Sequence, residues 1–268
     1  MLDVVETRKG DLSKAPRASV HRVVLQELKP IQDLVGAQFL TSTLQIVHCH
    51  YHAWISGIRH QDISLATFAY TVDSDGENRG ALCDWDLAQG QDESSKRVGT
   101  APFMAMDLLK SPSINMNAEH LYRYDLEAVF WVMVWVSCRK GTLSQWETGN
   151  YRQRCLRTKL NFIAPGSQTC WLAKDGWKGM SMVTLEIGIW LNARFQAQND
   201  LVFENRIGRI LGSPPVKAED ETTEQTWLAF RECLRSCLSF ISERKAFEDI
   251  AVVLEEFLKH AEEHSIGV

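Results

Sequence analysis

The residues able to do chemistry fall in five short stretches of this chain. His48-Cys49-His50-Tyr51-His52 crowds three imidazoles together. Arg59-His60-Gln61-Asp62-Ile63-Ser64-Leu65-Ala66-Thr67 mixes a carboxylate, an imidazole and hydroxyls. Leu82-Cys83-Asp84-Trp85-Asp86-Leu87-Ala88 and Gly99-Thr100-Ala101-Pro102-Phe103-Met104-Ala105-Met106-Asp107 each carry acidic side chains, and Tyr122-Arg123-Tyr124-Asp125-Leu126-Glu127 places two carboxylates ahead of an apolar run. The histidines invite a metal reading. On a strand all three would share a face; on a helix His48 and His52 share one and His50 points elsewhere. A zinc site needs three or four converging ligands, and the neighbouring sequence supplies no others, so they read as partly exposed helix histidines. The seven cysteines (49, 83, 138, 155, 170, 233 and 237) are odd in number and contain no CxxC pair. That suits a reduced compartment better than a disulfide framework or zinc ribbon. Cys233 and Cys237, one helical turn apart, read as half-buried helix residues. A single loop aspartate is by default a solvated group or a helix cap, so Asp62, Asp84 and Asp125 gain meaning only from the elements around them.

Those elements can be read in outline. The 268 residues are 45% hydrophobic and 24% charged, the composition of a globular chain. A formal charge of -5 makes the chain a poor candidate for wrapping nucleic acid or lying on an anionic membrane. The longest apolar run, Ala128–Cys138, is too short to span a bilayer. MLDVVETRKGDLSK at the start has no apolar run and gives no secretory signal. With the free cysteines, this sets an expectation of cytoplasm or nucleus. Residues 1–20 read as a polar tether, and HRVVLQELKP (21–30) as one strand closed by a proline. Leu44, Val47, Tyr51, Trp54 and Ile58 recur at three and four, the spacing of a helix that ends near Gly57. FAYTV and ALCDW, separated by SDGENRG, read as a hairpin. Residues 89–98 read as a polar loop, DLEAVFWVMVWV as a helix buried on every side with Trp131 and Trp135 in the core, and 212–224 as an acidic surface loop. Phe247, Ile250, Leu254, Phe257 and Ala261 mark one face of a last helix, before a tail at 263–268.

In this order, on these elements, the four loop stretches resemble the protein-kinase signature set: catalytic loop (59–67), metal-binding Asp motif (82–88), the end (99–107) of an activation segment spanning 84–107 and the Asp of the central helix. HxDIS, DWDLA in place of DFG, GTxxFMA and YRYDLEAVFWVMVWV resemble more particularly the fungal-type protein kinase family. The resemblance runs from about Arg22 to Ser137. It implies a mainly α (α+β) fold, the C-terminal lobe of the kinase fold with a small β-hairpin at the cleft, over residues 21–262. It implies ATP and Mg2+ as cofactors and a protein substrate or protein partner. Asp62 would be the catalytic aspartate that orients a substrate hydroxyl and accepts its proton, and Asp84 the magnesium ligand. HRVVLQELKP resembles the strand entering the hinge, which assigns Glu27 and Leu28 to the nucleotide beside Asp84. Trp85 is expected to pack, and Asp125 to cap its helix and bond the catalytic-loop backbone.

The departures carry equal weight. Thr67 stands where the family's Asn would hold a second magnesium; a hydroxyl can ligate magnesium but is shorter. Gln61 replaces the Arg that pairs with a phosphorylated activation-loop residue, so phosphorylation of Ser94 or Ser95 would not act through it. Asp107 shortens the Glu of the A-P-E motif, with Arg244 as its expected partner. No Gly-rich loop or VAIK-like strand precedes residue 21, which predicts a missing N-lobe and negligible phosphotransfer by this chain alone. Two readings follow: a protein serine/threonine kinase domain that transfers the γ-phosphoryl of ATP once completed by an N-lobe, or a catalytically inactive pseudokinase serving as an interaction module.

Overall fold

The computed structural model describes residues 27–85, 100–110, 120–138, 151–164, 173–216 and 221–263. The tether at 1–20, residues 21–26 of the expected first strand, the loop at 89–98 with Ser94 and Ser95, part of the acidic loop (217–220) and the tail after Glu263 lie outside them.

Three antiparallel strands form one small sheet: β1 (Lys29–Pro30), β2 (Phe68–Val72) and β3 (Asn78–Leu82), in that spatial order. Lys29 lies opposite Tyr70, and Tyr70 opposite Gly80. The hairpin turns earlier than the sequence suggests. Asp73 Oδ1 accepts hydrogen bonds from the backbone N–H groups of Asp75 (3.0 Å) and Glu77 (2.9 Å), and Gly76 takes φ +83°. This side-chain-tied turn closes the loop at residue 77. Asn78-Arg79-Gly80 therefore join the strand rather than the turn.

The rest is helical. Helix α1 (Ala37–Ile55) starts after Gly36, whose φ of +58° redirects the chain. It lies against β3 and against α7 (Glu248–Glu263). Helix α2 (Met106–Leu109) is one turn long. Helix α3 (Tyr122–Ser137) runs through the centre, and every residue of it except Arg123 and Trp135 is buried. Around it pack α4 (Tyr151–Ile163), α5 (Lys178–Ile210) and α6 (Thr223–Ile241). Thr222 and Gln225 close the N-terminus of α6 as a capping box. Each large apolar side chain fully buried along α3 contributes about 1.5–3 kcal/mol relative to exposure, so this helix is a principal source of the cohesion that fixes the loops before it.

The mainly α fold with a small sheet agrees with the sequence reading. Several details differ. Cys233 and Cys237 are buried, at 8% and 2% exposure, rather than half-buried. Trp131 is in the core, but Trp135 is partly exposed and packs edge-on to Phe103. The last helix carries Ile250, Leu254, Phe257 and Ala261 inward, as its spacing predicts, while Phe247 falls in the 3-10 turn Lys245–Phe247 ahead of it and is only partly buried. Among the described residues no helix is long and apolar enough to cross a membrane.

Candidate active site

The loop between α1 and β2 is shaped by its own polar groups. His60 is buried, and its Nε2–H donates to the carbonyl of Cys83 at 2.8 Å while Nδ1 accepts from the backbone N–H of Asp62 at 3.3 Å. One imidazole thus ties the 59–67 loop to the end of β3 and fixes its own tautomer. Trp85 packs edge-on against it, ring centroids 4.8 Å apart, and donates Nε1–H to Leu82 O at 2.8 Å. Trp85 is a packing residue, as expected.

Two residues in these loops, Gln61 (φ +64°) and Asp84 (φ +60°), adopt the left-handed region. For non-glycine residues that costs roughly 1 kcal/mol or more and persists only where the surroundings enforce it. For Gln61 the enforcing group is Asp125, whose Oδ2 accepts the Gln61 N–H at 3.4 Å. Asp125 also accepts from His50 Nε2 at 2.9 Å and His120 Nε2 at 2.7 Å. Burial raises its pKa, but the charge and hydrogen bonds of His120 and His50 outweigh burial and hold the carboxyl well below the ordinary carboxylate range. The bond to the loop backbone agrees with the sequence reading. The capping role does not: Leu121 occupies the N-cap of α3 without a side-chain cap, and Asp125 faces the loop from inside the first turn. His50 also departs from expectation. It is 1% exposed, stacked on Tyr122 and committed to Asp125.

Asp62 is only partly buried, and its Oδ1 accepts both the N–H (3.0 Å) and the hydroxyl (3.1 Å) of Thr100. The segment carrying Thr100 is anchored behind. Lys159 of α4, fully buried, donates to Met104 O at 2.5 Å, and its ammonium lies 4.6 Å from the centroid of the Trp131 ring. Glu127 Oε1 accepts from Met106 N–H at 2.8 Å and from Trp131 Nε1 at 2.9 Å. Burial lowers the Lys159 pKa to about 8, and raises that of Glu127 against the pull of Lys159. Asp107 does not meet Arg244. Its partners are Lys110 at 2.7 Å and Arg123 at 3.5 Å, while Arg244 bonds Phe240 O and lies over the Phe240 ring.

In front of these loops opens a cleft of about 680 Å³. Leu28, Phe68, Cys83, Asp84, Thr100 and Trp135 are among its walls. Its volume suits a small organic ligand. Of the expected site residues, the cleft gathers Leu28 and Asp84; Asp62 reaches it through Thr100, and Glu27 lies exposed one residue before Leu28. Asp84 is exposed, an oxygen donor of the type magnesium takes. Thr67 is buried. Its hydroxyl accepts from Ser64 N–H at 3.0 Å and lies within donating reach of Ser64 O (3.0 Å) and Asp62 O (3.4 Å), so its oxygen serves the loop backbone. Asp84 thus offers the cleft a single carboxylate, while Thr67 is turned to loop geometry. Thr100 and Lys159 did not stand out in the sequence. Thr100 had a signal, its place in GTxxFMA; Lys159 sits in a polar helix that advertises nothing.

No curated protein matches the chain. A family model described as fungal protein kinase matches residues 15–137, a stretch that holds all four loop motifs and the central helix.

Proposed function

We propose that this kinase-like domain takes part in phosphoryl transfer from ATP to the hydroxyl of a protein serine or threonine, in a cleft completed by an N-lobe. The observation that supports this reading best is the pairing of Asp62 and Asp84 on one frame: His60 bonds the backbone of both loops, and Thr100 holds the Asp62 carboxylate. Asp62 would orient the acceptor hydroxyl and take its proton. Asp84 would hold a magnesium ion, which supplies neutralisation of phosphate charge when bound, and Leu28, with Glu27 beside it, would flank the base. Gln61, being neutral, would leave control by activation-segment phosphorylation to other groups.

A second reading, a non-catalytic interaction module, draws support from Thr67. Its hydroxyl is spent on the loop backbone, so a second magnesium would lack its usual amide ligand.

Calorimetric titration of ATP with Mg2+ separates the readings. The kinase reading expects binding that Asp84→Ala abolishes, with a melting temperature in the absence of nucleotide that barely moves because Asp84 faces solvent. It further expects that, once an N-lobe is joined, transfer from radiolabelled ATP is lost in Asp62→Asn. ATP binding that is absent, or indifferent to Asp84→Ala, favours the interaction module. A drop of many degrees in Asp84→Ala would make Asp84 a structural residue instead.

A further inference from the structure

A second concavity, of about 460 Å³, lies between α1, β3 and α7 and shares no lining residue with the cleft. Its walls include His48, Cys49, Arg79, Glu256, Phe257 and His260. One turn beyond His48 on the same face of α1 stands His52, and the two Nε2 atoms are 3.1 Å apart. The rings are perpendicular with centroids 4.5 Å apart, so they meet at an angle and not head to head.

Two nitrogens each about 2.0–2.1 Å from one ion, at square-planar or tetrahedral angles, stand roughly 2.9–3.4 Å apart. The observed separation falls inside that window without any movement of the helix. The rings are also held in place. His48 packs against Trp227 and Phe257, with centroids 6.2 and 6.4 Å away, and His52 lies edge-on to Tyr51 at 5.5 Å. His260 of α7, distant in sequence, brings a third imidazole to 5.1 Å from the His48 ring. Ligands fixed by packing before the ion arrives lose little freedom on binding. Among the described residues no three or more His, Cys, Asp or Glu side chains converge as a metal-holding group, so the arrangement is an open, two-nitrogen one.

We propose that His48 and His52 form a chelating site for a divalent transition-metal ion of the imidazole-preferring class, such as Ni2+ or Cu2+, apart from the phosphoryl-transfer cleft. Each imidazole gives one Nε2 lone pair, the ring that carries its proton on Nε2 passes to its Nδ1–H tautomer as the ion enters, and water fills the remaining positions. This inference is independent of the kinase reading, since no residue of the cleft takes part.

Titration of NiCl2 into the full chain, freed of metal with a chelator, followed by calorimetry, tests the site. The expected result is saturable binding that is lost in His52→Gln and in His48→Gln, and kept in Cys49→Ser. His52→Gln is the cleaner variant, because the His48 ring also packs on Trp227 and Phe257; unchanged circular dichroism of His52→Gln shows that loss of binding is loss of a ligand. No binding by the wild-type chain, binding unchanged in His52→Gln, or binding lost in Cys49→Ser alone would overturn the proposal.

Discussion

Asp125 concentrates more of the site's architecture than Asp62 or Asp84. It receives His50 from α1, His120 from ahead of α3, and the Gln61 N–H that keeps the 59–67 loop in its strained turn. Replacing a buried, hydrogen-bonded charge leaves its partners unpaired and costs about 3–5 kcal/mol. Asp125→Asn should therefore lower the melting temperature by roughly 10 °C in a chain of this size. The pH dependence has a definite sign. The folded carboxyl titrates below its ordinary value of 3.8, so its stabilisation is fully present above that value and is lost as pH falls from there through the folded pKa. Thermal melts of wild type and Asp125→Asn should be far apart near neutrality and converge in acid. A constant gap across that range would show that the charge of Asp125 contributes nothing.

At the scale of elements, the hairpin depends on a glycine that reads in sequence as a turn residue. Gly80 lies in β3 opposite Tyr70, with its N–H bonded to Gln45 Oε1 at 2.8 Å. A Cβ there would come within 2.0 Å of Ser42 O and 2.8 Å of Ser42 C. Both are backbone atoms of α1, so no side chain can swing aside. Gly80→Ala must push β3 off α1 and should cost at least the roughly 1–3 kcal/mol of ordinary overpacking. Gly76→Ala, in the hairpin turn at φ +83° with nothing within 4 Å, should cost only the left-handed penalty of roughly 1 kcal/mol. Urea unfolding of the two variants checks the order; a Gly80→Ala protein as stable as Gly76→Ala would mean that α1 and β3 are not in this contact. The misplaced turn in the sequence reading has the same origin. Glycine signals a turn when φ is positive and close packing when it is not, and only the partner helix distinguishes the two.

Over the whole molecule, what the sequence made legible was local. The period of α1, the unbroken apolar run of α3 and the order of the loop motifs each lie within a few turns of chain, and the mainly α fold with a small sheet followed from them. The groups that lock the site come from far along the chain and carry no local pattern: His120 to Asp125 alongside His50, Arg123 to Asp107 in place of Arg244, and Lys159 of α4 to Met104 O. Lys159 has the widest reach, since with Glu127 it fastens residues 104–106, and through that segment Thr100, to α3 and α4. Its burial sets a test on the global stability. The folded amine titrates at about 8 against an ordinary 10.5, so between those values the unfolded chain holds a proton that the folded one has released. Stability from this group therefore rises with pH across that window and falls away again as pH drops through the folded pKa, by an amount on the order of 3 kcal/mol. The buried thiols act the other way above their ordinary pKa of 9.0: burial pushes Cys237 up to about 12, so the folded chain keeps its proton there and loses stability in alkali. Both proteins share that loss, so the quantity to read is the difference between wild type and Lys159→Met. The gap in unfolding free energy should widen in favour of wild type from about pH 8 to pH 10.5. A gap that stays flat would place the Lys159 ammonium in water, and would release residues 104–106 from the anchor described here.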